Sequence, residues 1–420
     1  MDINNLLNKT VKCECGMEHK CDIKSVIIEN DAINRLPSLV ENYKNIVVTA
    51  DKNTFSVCGE KVVNALGDKL ETLFVYDDEG ILVPDEEAIE KLNDKVSDKT
   101  DLIIGIGSGV INDLCKYVSF KNTLPYFIVA TAPSMDGYAS VGAAMIIGNM
   151  KITYSAHVPT AIIADTAVIK DAPIDMIKSG YGDIIGKYSA LNDWKLSHVV
   201  NDEYICDYVY KLTMDMVKKV RPLAKGVLNR DEESIKTLME ALVVVGIAMS
   251  YVGNSRPASG SEHHLSHFYE VTGIMTGMPY FLHGIDVMYS TYITQLMRED
   301  LLKIDEIGDS VPFNREKWLK IIDNIYYDAA EGVIAQQNKL GWYDKDMVSI
   351  YKAKWNEIKE VLSDTPSSDE IRALLNEIEL PYDDFMDMYG DEKVYYSKWY
   401  AKDLKDRYTV LWMYYEILHN

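Results

Sequence analysis

DLIIGIGSGVINDLCKY, residues 101–117, reads as a strand that enters a glycine turn and leaves it as a helix. Residues 102–105 are apolar or glycine throughout, the composition of a strand buried on both faces. Gly105, Gly107 and Gly109 surround Ser108, and residues 110–119 carry helical spacing. Glycines at such a turn let the backbone approach a ligand, and the first N–H groups of a helix favour an anion. The same turn serves equally well to pack a helix closely on a strand. The spacing is G-x-G-x-G, so the usual dinucleotide fingerprint G-x-G-x-x-G is absent. Cys115, on the helix, reads as a small core residue.

The pattern repeats on either side. Residues 46–50 (IVVTA), 73–76 (LFVY) and 126–130 (YFIVA) are further short apolar runs bounded by turn residues. Helical spacing fills 54–66 and 86–97 between them. Strands and helices alternating at this interval predict βαβ units and a parallel sheet. Residues 138–155 suggest a hairpin around Gly148-Asn149, and TAIIADTAVIKDAP (160–173) a further strand with an exit loop. Beyond about residue 174 long helical periods take over: 182–200, 203–221, 231–253, 280–299, 315–337, 344–362 and 404–418. The expectation is a Rossmann-like α/β domain over 1–165 and an all-α domain over 166–420. The Tyr and Trp residues of the last quarter have the spacing of helix packing.

Composition narrows the function. Of 420 residues, 47% are hydrophobic and 26% charged, a globular balance. Lys and Arg number 43 against 65 Asp and Glu, a net charge of −22. Such a chain binds nucleic acid or anionic membrane poorly, so an anionic ligand needs a local device to hold it. The charge-free run 241–255 is shorter than the ~20 residues of a membrane span, so none is expected. MDINNLLNKTVKCECG lacks a basic start and an apolar stretch, unlike a secretory signal. Six cysteines make no disulfide framework, and a reducing, cytoplasmic compartment is expected.

Four more stretches carry candidate chemistry. ATAPSMDGYAS (130–140) crowds hydroxyl and small residues at a strand's C-terminal end, where open α/β sheets bind ligands; Asp136 is its lone carboxylate. In SGYGDIIGKYSALNDWKLSH (179–198), Asp183 is either a helix cap or a ligand, and Lys187 shares its helical face. In GNSRPASGSEHHLSHFYE (253–270), His263 and His267 are four apart, a spacing used by metal sites, with His264 between them and His283 further on in FLHGIDV. CECGMEHKC offers Cys13, Cys15, His19 and Cys21. Its C-x-C-x3-H-x-C spacing is not the common C-x2-C knuckle, and Gly16 suggests a hairpin, so a structural metal there stays open.

In chain order these motifs run glycine loop, TAPS-x-DG, GD, HxxxH, LHG. That order resembles the metal-dependent polyol dehydrogenases of the iron-containing alcohol dehydrogenase superfamily, with its dehydroquinate synthase-like fold. GIGSGVINDLCKY, TAPSMDGYASVGAAM, GYGDIIGKYSALNDWKL and GSEHHLSHFYE resemble in particular its branch of bacterial sn-glycerol-1-phosphate dehydrogenases, over roughly residues 100–285. The resemblance implies Asp183, His263 and His283 as metal ligands, with His264 a rival for His263. It places Asp136, Asp183 and His267 at the substrate, Asp136 and His267 being the groups that pass the proton. Gly109, Val110, Ile111, Asn112, Asp113, Thr131, Ser134 and Ser140 fall where the family holds its nicotinamide dinucleotide. Asp51 falls where a carboxylate accepts adenosine ribose hydroxyls, favouring NAD(H), with NADP(H) the alternative.

The implied reaction is metal-dependent reduction of dihydroxyacetone phosphate, a small phosphorylated three-carbon substrate, to sn-glycerol 1-phosphate. Zinc or nickel suits the implied ligands, ferrous iron less so. A homodimer or larger homo-oligomer is implied too. Arg256, Lys187 and the N–H groups around residues 259–261 are candidates for the substrate phosphate. The alternatives are a dehydrogenase of glycerol or another small polyol, and a sugar-phosphate cyclase resembling 3-dehydroquinate synthase.

Overall fold

The computed structural model describes residues 2–77, 82–148 and 150–419. The chain forms two compact units: Met1–Tyr181 with Lys218–Ser255, and Gly182–Val217 with Arg256–Asn420. A single cut after residue 165 therefore differs from the observed division over 166–181 and 218–255, which belong to the first unit.

Among the described residues the first unit holds ten strands: β1 (Lys9–Lys12), β2 (Glu18–Cys21), β3 (Ser25–Glu29), β4 (Ile46–Asp51), β5 (Leu70–Tyr76), β6 (Leu102–Gly107), β7 (Tyr126–Ala130), β8 (Gly142–Ile147), β9 (Met150–Ser155) and β10 (Ala161–Asp165). Six of them form a sheet in the order β3-β10-β7-β6-β4-β5, with every neighbouring pair parallel. β6, β7 and β10 are buried at every residue, which is why β6 and β7 read as unbroken runs of apolar residues and glycine; β10 ends on the buried Asp165. β5 lies at an edge, and the polar positions of LETLFVY hid its first three residues. β3, the opposite edge, alternates in burial along SVIIE and escaped the sequence reading altogether. β1 pairs with β2, and β8 with β9, as separate antiparallel hairpins. Gly148 takes φ +57° in the β8–β9 turn; Asn149 lies outside the described residues.

Helix α1 (Lys52–Leu66) follows β4 and α2 (Gly109–Lys121) follows β6. A Cβ at Gly105 would meet Cys115 Sγ at 2.7 Å, and one at Gly107 would meet Ile111 Cβ at 2.6 Å. Those glycines therefore let α2 lie directly on its own strand. β4 has β5 on one side and β6 on the other, so the connections reverse direction there. Open α/β sheets bind ligands beyond the carboxyl ends of the strands at such a reversal. Asp51, Ser108 and Thr131 end or follow β4, β6 and β7 along that edge.

Helix α3 (Ile174–Asn201) comes next, then α4 (Glu232–Val252), which belongs to the first unit. Among the described residues, α4 is long and apolar enough by composition to cross a membrane, yet 72% of its apolar window is buried inside the fold. That burial is the mark of a core helix. The second unit is helical and includes α5 (Ser261–Thr276) and α6 (His283–Leu302). In its last quarter the expected helix over 315–337 breaks at Tyr327 (φ +47°), and helices at Ser368–Glu377 and Tyr382–Tyr400 were not anticipated. Tyr351, Tyr408 and Trp412 are core residues of this region, as their spacing predicted.

Candidate functional site

In the second unit, close helix packing brings three metal-ligating side chains together. A Cβ on Gly182 would stand 2.3 Å from Gly284 O, so α3 can meet the start of α6 only through glycine. That contact sets Asp183 against His283. His263 comes from the first turn of α5. One ligand atom from each of Asp183, His263 and His283 lies within 4.8 Å of the others. His263 Nε2 is 3.6 Å from Asp183 Oδ1, and the His263 and His283 ring centroids are 4.9 Å apart. His264 is buried beside them, but it is not in this group.

Neighbouring side chains fix the geometry. His263 Nδ1 lies 2.7 Å from Glu262 Oε1, which also accepts the Gly260 N–H at 2.9 Å. A carboxylate here holds the proton on Nδ1 and leaves the Nε2 lone pair facing Asp183. Arg298, fully buried, pairs with Asp193 at 2.9 Å, and Asp193 Oδ2 accepts the Ser261 N–H at 2.6 Å. This chain of bonds anchors the start of α5. Lys187 Nζ donates to Asp183 Oδ1 at 2.6 Å. Burial pushes the Asp183 carboxyl up, but its neighbours, the Lys187 ammonium foremost, outweigh it and hold the group below its ordinary value. Burial, followed by Lys187, pushes His263 far down, so its ring is neutral as ligation requires.

The residues thus fit a divalent ion: a carboxylate, a neutral imidazole of fixed tautomer and a second imidazole converge in a buried site. A second group, His267, Glu270 and His283, shares His283 and also falls within 4.8 Å. Sequence reasoning missed Glu270, although its position three residues after His267 on a helix was the available signal. The phosphate candidates fare less well. Arg256 grips Glu203 with Nε at 2.7 Å and Nη2 at 2.5 Å. The Gly260 and Ser261 N–H groups are bonded to Glu262 and Asp193, and Lys187 to Asp183. All of these candidates already serve partners within the protein. A cavity of about 360 Å³ lined by Phe313, Trp318, Tyr343 and Glu416 includes none of Asp183, His263 or His283.

In the first unit, the residues expected at the dinucleotide gather at the sheet's carboxyl edge. Ser108 makes no side-chain cap bond to α2. Gly109 and Val110 are half-buried at the helix start, whereas Ile111 and Asn112 are buried. Asn112 Nδ2 donates to Gly137 O at 3.4 Å, and Asp113 Oδ2 accepts the Ala144 N–H at 3.2 Å. These two side chains therefore also hold the 137–144 segment. Lys116, which the sequence reading passed over, is fully buried and donates to Gly137 O (2.9 Å), Gly142 O (2.8 Å) and Ser140 Oγ (3.4 Å). The Thr131 N–H bonds Gly107 O at 3.1 Å. The Ser134 carbonyl accepts from Ser179 Oγ at 3.0 Å. A Cβ on Gly180 would lie 1.8 Å from Pro133 O, so the TAPS loop is pressed against α3. Asp136 is buried and opens the 3-10 turn Asp136–Ala139, against which Gly246 of α4 packs. Asp51 caps α1: its Oδ1 accepts the Thr54 N–H at 2.9 Å.

A parallel sheet with a helical carboxyl half carrying an Asp-His-His set defines a class, the iron-containing alcohol dehydrogenases. Residues 27–173 match the family described as iron-containing alcohol dehydrogenase. The chain is 34% identical over 343 residues to a glycerol-1-phosphate dehydrogenase [NAD(P)+] of Halalkalibacterium halodurans, covering 77% of this chain and 86% of that one. A protein of the same name from Geobacillus thermodenitrificans is 34% identical over 297 residues, 69% of this chain and 74% of its own. The chain belongs to this family, the glycerol-1-phosphate dehydrogenases, and so to the oxidoreductases. The fold is also that of a sulfoacetaldehyde reductase from Bifidobacterium kashiwanohense solved with NAD+, with a TM-score of 0.60 at 14% identity over 95% of this chain and 98% of that one.

Proposed function

We propose that the chain reduces dihydroxyacetone phosphate to sn-glycerol 1-phosphate with NAD(P)H, using a divalent ion held by Asp183, His263 and His283. The observation that carries this is the convergence of buried Asp183 and His263 with half-buried His283, and Glu262 on His263 Nδ1. The name of the 34% identical relative supplies the substrate class. A bound ion would supply Lewis acidity toward a carbonyl or hydroxyl oxygen. Two imidazoles and a carboxylate suit zinc or nickel ahead of ferrous iron.

The chain's own residues do the rest. Glu262 keeps His263 in the ligating tautomer, and Lys187 balances the Asp183 charge in its buried site. Gly109, Val110, Ile111, Asn112, Asp113, Thr131, Ser134 and Ser140 would hold the dinucleotide in the first unit, where a helix start favours phosphate. Asp51 accepts the adenosine ribose hydroxyls, which favours NAD(H), since a 2′-phosphate would meet its charge. Asp136 and His267 contact the substrate, and one of them passes the proton that accompanies hydride transfer. A bound dinucleotide would supply the hydride that reduces the substrate carbonyl. A cytoplasmic location and a homo-oligomeric state belong to the same reading, the former supported by six cysteines that are all thiols.

The test is NADH oxidation on metal-stripped protein resupplied in turn with zinc, nickel or ferrous iron. The substrates are dihydroxyacetone phosphate, dihydroxyacetone and a blank. Turnover only with the phosphate ester and only with metal is expected. Equal turnover of dihydroxyacetone would move the activity to unphosphorylated polyols. Full turnover without metal would remove the ion from the proposal.

A further inference from the structure

A second group of metal-type donors converges in the first unit, on the β1–β2 hairpin. Lys12 pairs with Glu18, so residues 13–17 form the connection. The Gly16 N–H donates to Cys13 O at 3.1 Å and the Cys13 N–H to Met17 O at 3.2 Å. Gly16 sits at φ +85°, which a side chain would resist, and this permits the tight turn. The turn folds Cys13 and Cys15 back toward His19, and one ligand atom from each of the three lies within 4.8 Å of the others. Strand alternation turns His19 inward while Glu18 and Lys20 face solvent. Cys21, the fourth residue of the sequence motif, is buried but lies outside the converging group.

The His19 ring is held as a ligand would be. Its Nδ1 lies 2.9 Å from the Tyr251 carbonyl oxygen. A carbonyl can only accept, so Nδ1 carries a proton, which makes Nε2 the nitrogen available to a metal. Nε2 faces Cys15 Sγ at 3.5 Å. Two ligands of a tetrahedral zinc, at about 2.3 Å for sulfur and about 2.0 Å for nitrogen, stand roughly 3.5 Å apart. The ring is fully buried and stacks on Tyr251, with centroids 5.5 Å apart and planes at 28°.

We propose that Cys13, Cys15 and His19 bind a thiophilic divalent ion, zinc foremost, at a structural site distinct from the Asp183 set. Through His19 and Tyr251 the ion ties the amino-terminal hairpin to α4.

The full-length protein is stripped, reconstituted with zinc alone, and its metal counted. A parallel sample takes cobalt(II), whose thiolate-to-metal charge-transfer band reports sulfur ligation. Asp183, His263 and His283 include no sulfur, so that band reads the hairpin alone. The wild type is expected to hold two equivalents and to show the band. Asp183→Asn should drop to one equivalent and keep the band. The Cys13→Ser/Cys15→Ser double variant should also hold one equivalent, but without the band. Absence of the band in the wild type, or its survival in the double variant, would overturn the proposal, whereas a single equivalent that carries the band would count against the Asp183 set instead. Should the double variant fail to fold, the wild type and Asp183→Asn samples decide it.

Discussion

Lys187 Nζ stands 2.6 Å from Asp183 Oδ1, one helical turn away, with neither side chain reached by solvent. Two buried charges persist together because each is costly alone. Asp183→Asn should therefore do two things at once. It should release the catalytic-site metal, and it should lower stability by about 3–5 kcal/mol by leaving Lys187 uncompensated. Adding Lys187→Met should recover much of the stability and none of the metal. Elemental analysis and urea unfolding of metal-free protein measure the two effects separately. Retained metal in Asp183→Asn would remove Asp183 from the ligand set.

Glu262 is predicted to act on the metal through His263. Its Oε1 accepts from His263 Nδ1 at 2.7 Å and from the Gly260 N–H at 2.9 Å. Glu262→Gln keeps an acceptor oxygen, whereas Glu262→Leu keeps none. Zinc affinity, measured by competition with a chelator, should fall by about 10–100-fold in the leucine variant. In the glutamine variant it should fall less. Equal affinities in wild type and leucine variant would mean that His263 needs no orienting partner.

The central strands were legible in the sequence because their burial is local. β6 and β7 are buried on both faces, and a continuous apolar run can hardly be read otherwise. β3 was invisible because an edge strand of five residues needs only two apolar positions facing the core. The convergence of Asp183, His263 and His283 came from resemblance, not from spacing, since it depends on the close approach of Gly182 and Gly284. No periodicity records that contact. Arg256 illustrates the opposite error. In sequence it is a lone cation near a histidine cluster; in the fold Glu203, more than fifty positions earlier, already occupies it. The sequence also gave no sign that Cys21 would be separated from Cys13, Cys15 and His19, because the turn at Gly16 decides which side chains meet.

Asp51 has one duty that the structure shows and a second that is proposed, the choice of cofactor. Its Oδ1 accepts the Thr54 N–H at 2.9 Å while Thr54 Oγ1 accepts the Asp51 N–H at 3.1 Å, a reciprocal cap on α1. Asp51→Ala should cost about 1 kcal/mol for the lost cap. Asp51→Asn keeps an acceptor and should cost little. Both remove the charge, so both should raise kcat/KM with NADPH relative to NADH. An unchanged ratio in the asparagine variant, whose fold is intact, would show that Asp51 does not choose the cofactor.

Glu416 sets a pH dependence of stability that belongs to this helical unit alone. Burial pushes its carboxyl up to about 7, against the Tyr351 hydroxyl and the Lys402 ammonium, which pull it down. In the unfolded chain the group titrates near 4.5. Between those values the folded protein keeps a proton that the unfolded chain has lost. Stability therefore falls as pH rises through this window, by a total of about 3 kcal/mol from this group. Below the unfolded value both states are protonated and the penalty vanishes. Glu416→Gln cannot ionise and should escape the fall. Urea midpoints of metal-free wild type and variant, taken at intervals from acid to slightly alkaline pH, provide the measurement. The two should converge at the acid end, with the variant gaining steadily until the difference levels off above neutrality. A gap that stays constant with pH would mean that Glu416 titrates alike in both states and that its burial is relieved by solvent.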